Sequence, residues 1–207
     1  MSRINQTLFP FLIILLLMGY SNNMRASLNV KPDSVPIAQI VNDFYDWYLK
    51  AIKDDNSPVF KPTFVATENG MTTLDCTSYF SNLRKYQFSE SLIMHEKDSY
   101  TSCIENLSSV KFQDFQNTML TNLDEYEQSN CDFGNYFRWT GGQEPIDGIQ
   151  ISGINFIALN SALVKITYFE IEPSSNTKVV WGENRLILIK VDGGWYIDKI
   201  DSMTNNN

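Results

Sequence analysis

The residues best suited to chemistry or recognition crowd into one stretch, Cys131-Asp132-Phe133-Gly134-Asn135-Tyr136-Phe137-Arg138-Trp139-Thr140-Gly141-Gly142-Gln143-Glu144-Pro145. It packs four aromatics, one arginine, two acids and three glycines into a single connection. Glycine lets backbone turn sharply and approach closely. Aromatic side chains with arginine are the composition of recognition surfaces. If the stretch from Phe137 is extended, Phe137 and Trp139 share one side and Tyr136 and Arg138 the other. One pair then anchors the loop while Tyr136 and Arg138 face a ligand or partner, with Trp139, Asp132 and Glu144 beside them. The planar fork of Arg138 suits a carboxylate, and Tyr136 offers apolar area with a polar tip. The alternative is structural: the aromatics pin the loop onto its neighbours and Arg138 neutralises Asp132 or Glu144.

Catalytic sets are missing elsewhere. The chain has one histidine. On a helical projection His95 points away from Ile93, Tyr100 and Ile104, which reads as solvated surface rather than an oriented base. There is no phosphate loop, dinucleotide fingerprint, nucleophile elbow or zinc-protease helix. Most acids fall on polar helical faces, and no carboxylate pair stands out as catalytic. Cys76, Cys103 and Cys131 lack metal-ligand spacing, so neither metal nor cofactor is expected. In an oxidising compartment three cysteines give one disulfide and one spare thiol. Three pairings are open. Cys103–Cys131 is preferred, because both flank the same helix.

The elements that must position this loop follow from periodicity. From Ile149 to Ile200 the chain reads as four strands joined by short turns. Val164, Ile166 and Tyr168 alternate with Lys165, Thr167 and Phe169, and Leu186 and Leu188 with Arg185, Ile187 and Ile189. In the first strand the apolar parity switches from Ile149 and Ile151 to Ile154 and Phe156. The switch at Gly153 predicts a β-bulge and a bent sheet. Asp192-Gly193-Gly194 supplies the positive φ of a tight hairpin. Trp195 opens the last strand and is expected to point into the core. Strands joined by short turns pair antiparallel, which gives a meander.

Upstream, Ile37, Ile40, Val41, Phe44, Tyr48 and Ile52 fall at helical spacing over 34–52, with Asp33 or Ser34 as cap. Residues 58–75 read as irregular. A short helix is expected from Asp75 to Lys85, a third from the Ser89 cap through Leu107, and a fourth from Lys111 to Glu127.

The N-terminus has the layout of a signal peptide: Arg3, an apolar run from Phe9 to Met18, then Gly19-Tyr20-Ser21. Tyr20 stands where a lipoprotein signal would carry cysteine, so lipidation is not expected. The organisation read from sequence is signal peptide 1–21, flexible leader 22–33, one α+β domain over 34–203, and a disordered tail 204–207. The product is expected in the periplasm or secreted, with no stable membrane insertion after cleavage. A formal net charge of −8 and a pI near 4.6 argue against nucleic acid as partner, since phosphate binding needs a basic face.

The opening Phe44-Tyr45-Asp46-Trp47-Tyr48-Leu49, the loop before the sheet and the terminal Gly193-Gly194-Trp195-Tyr196-Ile197-Asp198-Lys199-Ile200 resemble the nuclear transport factor two-like (cystatin-like) superfamily. Within it they resemble exported bacterial domains of unknown function. The resemblance spans roughly residues 35 to 201. It implies a cone-like α+β fold, with N-terminal helices packed on a curved four-stranded antiparallel sheet and a pocket at the open end. Enzymes of the superfamily use an acid–base pair there, usually Asp with Tyr or His. Here no such pair can be assigned beyond Asp132 with Tyr136. The resulting expectation is an exported, non-catalytic binding domain for an unknown small molecule or envelope protein. Two alternatives stand beside it: an envelope immunity or inhibitor protein, and a small-molecule enzyme with a pocket at the sheet mouth.

Overall fold

The main sheet is an antiparallel meander of β3 (Gly148–Ala158), β4 (Ser161–Glu172), β5 (Thr177–Val191) and β6 (Gly194–Ser202), paired in that order. The computed structural model describes residues 33–118, 128–131, 133 and 136–202. The signal peptide, the leader before Asp33, the tail, residues 119–127 of the expected fourth helix and Asp132 lie outside them. Alternation selects the inner face: Ala162, Val164, Ile166, Tyr168, Leu186, Leu188, Trp195 and Ile197 are buried. Register shifts between Ile151 and Gly153, at the expected place, and again at Phe156/Ala158, Thr167/Tyr168 and Ile187/Leu188. Each such irregularity bends the sheet. The β5–β6 hairpin turns on Asp192 and Gly193, both at positive φ, as a two-residue turn matching strand twist requires.

Against this face lies α1 (Ser34–Lys53), 20 residues long. Its buried stripe is Ile37, Val41, Phe44, Tyr45, Tyr48, Leu49 and Ile52, and it packs on β3 and β6. Asp33 occupies the cap position but makes no side-chain cap bond. Its carboxylate takes Lys190 Nζ at 3.0 Å instead. The helix is thus tied to the sheet rather than to its own first turn.

The connection after α1 is more ordered than its sequence suggests. It holds α2 (Ser57–Phe60) and a hairpin of β1 (Thr63–Ala66) and β2 (Thr72–Asp75). Asp75 ends β2 rather than opening a helix, and accepts the Thr77 N–H at 2.9 Å. Next come α3 (Thr77–Lys85), α4 (Glu90–Ser99), α5 (Thr101–Leu107) and α6 (Phe112–Thr118). Ser89 caps α4 as expected, its Oγ accepting the Leu92 N–H at 3.0 Å. The single helix expected from there to Leu107 is two, broken at Tyr100. Between α3 and α4, Ser89 N–H bonds Ile197 O and Ile197 N–H bonds Gln87 O. That short parallel bridge covers part of the outer edge of β6, which would otherwise present unpaired groups.

Cys103 and Cys131 form a disulfide across 28 residues, and Cys76 is free. The described chain is therefore α+β: a helical region packed on an antiparallel sheet, with one continuous core between them.

Candidate functional site

The loop before the sheet is a turn, not an extended strand. Phe137 N–H bonds Gly142 O at 2.7 Å, Gly141 N–H returns to Phe137 O at 2.7 Å, and Gly141 takes φ 69°. The expected alternation of side chains about Phe137 does not hold, because residues 138–140 curl back on Phe137. Trp139 drops inward and is 3% exposed. Its ring meets Phe88 edge-on at 5.0 Å and Phe44 at 6.3 Å.

The backbone of Trp139 carries a second anchor. Its carbonyl accepts Tyr45 OH at 3.1 Å and Tyr168 OH at 3.3 Å, and its N–H donates to Tyr48 OH at 3.3 Å. Asn184 Nδ2 donates to the Tyr168 hydroxyl. Gly182, at φ 66°, lets the Tyr168 ring lie against β5, where an added Cβ would meet Tyr168 Cδ2 at 3.1 Å. Tyr45 and Tyr48 come from α1, Tyr168 from β4 and Asn184 from β5, so the loop residue sits between helix and sheet. Burial pushes all three hydroxyls well above the ordinary tyrosine range. They act as neutral hydrogen-bonding groups.

Arg138 reaches the other way. Its Nε lies 2.8 Å from Glu96 Oε2. The Glu96 side chain is 0% exposed and Arg138 is 34% exposed. Tyr79 OH donates to Glu96 Oε1 at 2.9 Å, and Tyr100 OH donates to the same oxygen. Burial works against the guanidinium's charge, but Glu96 more than offsets it and holds the group above its usual value. Burial and then Glu96 raise the Tyr100 hydroxyl, and burial raises Tyr79. A carboxylate with both oxygens engaged by one cation and two hydroxyls is the satisfied form of a buried charge.

The expected loop residues therefore divide. Arg138 pairs with Glu96 rather than with Glu144, because α4 presents a buried carboxylate directly to the loop. Trp139 is core. Tyr136 is half-buried within electrostatic reach of Arg138. Glu144 is exposed and pairs with no described residue. Asp132 lies outside the described residues. His95 is exposed, as its position on α4 predicts. Sequence reasoning missed Glu96, Tyr79, Tyr45, Tyr168 and Asn184. One signal was present: Glu96 falls on the apolar stripe of Ile93, Tyr100 and Cys103, where an acid must find a partner.

Open clefts lie elsewhere. One, of about 520 Å³, is lined by Asp43, Asp46, Trp47, Lys50, Lys85 and Tyr86. In it the Trp47 and Tyr86 rings stack at 4.5 Å and 18°. A second, of about 350 Å³, runs past Asp33, Gln39, Gly193, Gly194 and Trp195, and shares Ile40, Asp43 and Gln87 with the first. A third, of about 500 Å³, lies between Phe88 and Ser89 and the strand residues Ile189, Val191 and Tyr196. Among the described residues no cluster of His, Cys, Asp or Glu could hold a metal ion.

No known protein family's sequence profile matches the chain, and no curated protein matches it. Among solved structures, it is similar to a protein of unknown function from Bacteroides thetaiotaomicron, at 13% identity and a TM-score of 0.24. That similarity covers 61% of this chain and 99% of the other.

Proposed function

We propose that this chain is an exported binding domain that performs no chemistry of its own, built on the cone-like plan of the nuclear transport factor two-like superfamily. One observation carries the reading. The space between α1 and the inner face of the sheet is filled by the chain's own Trp139, whose carbonyl and N–H bind Tyr45, Tyr168 and Tyr48. Both oxygens of Glu96 are likewise engaged by Arg138, Tyr79 and Tyr100. A general base or acid needs an exchangeable proton in reach of a substrate, and these groups are occupied and enclosed. Ligand contact then falls to the surface clefts, whose linings mix aromatic and polar groups.

The test uses the mature domain purified from the periplasm or medium, with its N-terminus sequenced. Fractionated envelope extract is added, and melting temperature and extract composition are followed together. A fraction that raises the melting temperature and is recovered unchanged supports binding. A fraction consumed with release of product overturns it, as does full-length protein recovered in the cytosol.

A further inference from the structure

We propose that this chain forms a two-fold dimer by pairing β3 with β3 of a second copy, which joins two four-stranded sheets into one. β3 is the outer strand on its side of the sheet. A strand in that place presents a row of N–H and C=O groups that another strand can take up. Among the described residues, β4 alone hydrogen-bonds the backbone of Gly148–Ala158. The opposite margin is guarded: β6 is bridged by residues 87–89 and carries Asp198, Lys199 and Asp201. β3 has no such guard. From Gly148 to Val164 no residue is charged and none is proline, the longest uncharged run after Arg25. An edge of 11 residues with neither charge nor proline invites pairing.

The sequence of β3 selects its own copy as the occupant. Ser152 is the extra residue of the first bulge, between Ile151 and Gly153. The bulge puts Ile149 and Ile151 on the same face as Ile154 and Phe156. All four are half-buried against the core, while Gln150 and Asn155 are exposed on the other face. Read outward from Ser152-Gly153, the strand is therefore symmetric: apolar, amide, apolar in both directions. An antiparallel copy related by a two-fold axis at Ser152-Gly153 sets Ile151 against Ile154, Gln150 against Asn155 and Ile149 against Phe156. An axis perpendicular to the sheet keeps each face on its own side, so apolar residues meet apolar residues. Such directly opposed pairs stabilise a strand pair. Gln150 Oε1 takes Lys178 Nζ at 2.8 Å, which leaves the Gln150 amide N–H groups for Asn155 Oδ1 of the second copy. Charge points the same way. At a net charge of −8 two copies repel, and they meet closely only along an uncharged margin. The nearest charge upstream, Asp147, is already held by Lys53 and the Ile171 N–H. A peptide from another protein would require no such symmetry in β3.

The competing account is that β3 stays single, with its bulges as protection. Ultracentrifugation of the mature domain over a dilution series decides between them, and a monomer–dimer equilibrium is expected. Ser152 is exposed, and Ser152→Lys places two lysines side by side at the axis. It should raise the dissociation constant about tenfold or more, with the fold unchanged by circular dichroism. Asn155→Lys should act likewise, by bringing a lysine beside Lys178 of the second copy. Mixing Ser152→Lys with Ser152→Asp should restore a mixed dimer, which a merely destabilised monomer would not form. Amide exchange should slow with rising concentration in β3 but not in β6. A monomer at every concentration overturns the inference. So does a dimer indifferent to both lysine variants, or failure of the charge-opposed pair to associate.

Discussion

Replacing Arg138 by alanine removes the one cation among the described residues that is bonded to the Glu96 carboxylate, which has no exposed surface. Breaking a buried ion pair from one side costs about 3–5 kcal/mol, because the remaining charge is left uncompensated. Arg138 is 34% exposed, so solvent screens part of the interaction. The low end, about 3 kcal/mol, is therefore expected. In a domain of this size each kcal/mol lowers the melting temperature by about 2–4 °C, which gives a fall of about 6–12 °C. Urea unfolding should show a lower midpoint at unchanged slope. The pair is also asymmetric. In Glu96→Gln the amide oxygen can still accept from Tyr79 and Tyr100, and the orphaned guanidinium can reach water. That variant should cost about 1–2 kcal/mol. The double variant should cost less than the sum of the two, because removing both partners leaves no uncompensated charge. A loss under about 1 kcal/mol in Arg138→Ala would refute a buried charge dependent on this partner. A larger loss in Glu96→Gln than in Arg138→Ala would refute the asymmetry.

Further outcomes are expected. Reducing Cys103–Cys131 frees a 28-residue separation in the unfolded chain, and should cost about 3.6 kcal/mol by chain entropy; a urea midpoint unchanged by dithiothreitol would contradict it. Burial pushes the Cys76 thiol up to about 11. At pH 8 the native thiolate is then on the order of a hundredfold scarcer than in a free cysteine, and iodoacetamide labelling should slow to match and quicken about tenfold per pH unit. Labelling at the rate of an unfolded peptide would show the thiol is not held there. Trp195, 4% exposed, should cost about 3–5 kcal/mol when changed to alanine; an unchanged melting temperature would show it is not part of the core.

What could be read from the chain was whatever its neighbours in sequence determine. Strand alternation from Val164 to Tyr168, the parity switch at Gly153 and the Ser89 cap each depend on a few consecutive residues, and each appears in the structure. The β1–β2 hairpin was invisible because its four-residue strands bury no alternating face. The break at Tyr100 was invisible because the apolar stripe runs through it. The site depends on longer distances. Arg138 finds Glu96 across 42 residues, and Trp139 meets Tyr45 across 94. Composition marked the loop as important but not which way it faces. An arginine beside a tryptophan reads equally as a recognition surface or as an anchor. What decides between them is whether a charge waits beneath. The clue was the acid on the apolar stripe of α4, since a carboxylate in that position cannot stay unpaired. The only arginines in the chain are Arg3, Arg25, Arg84, Arg138 and Arg185. Of these, only Arg138 lies in a stretch with glycines on both sides, free to turn its backbone toward a partner. Pairing an inward acid with the one arginine so placed is a rule that applies before any fold is known. Here it points to Glu96 and Arg138 ahead of the adjacent acids.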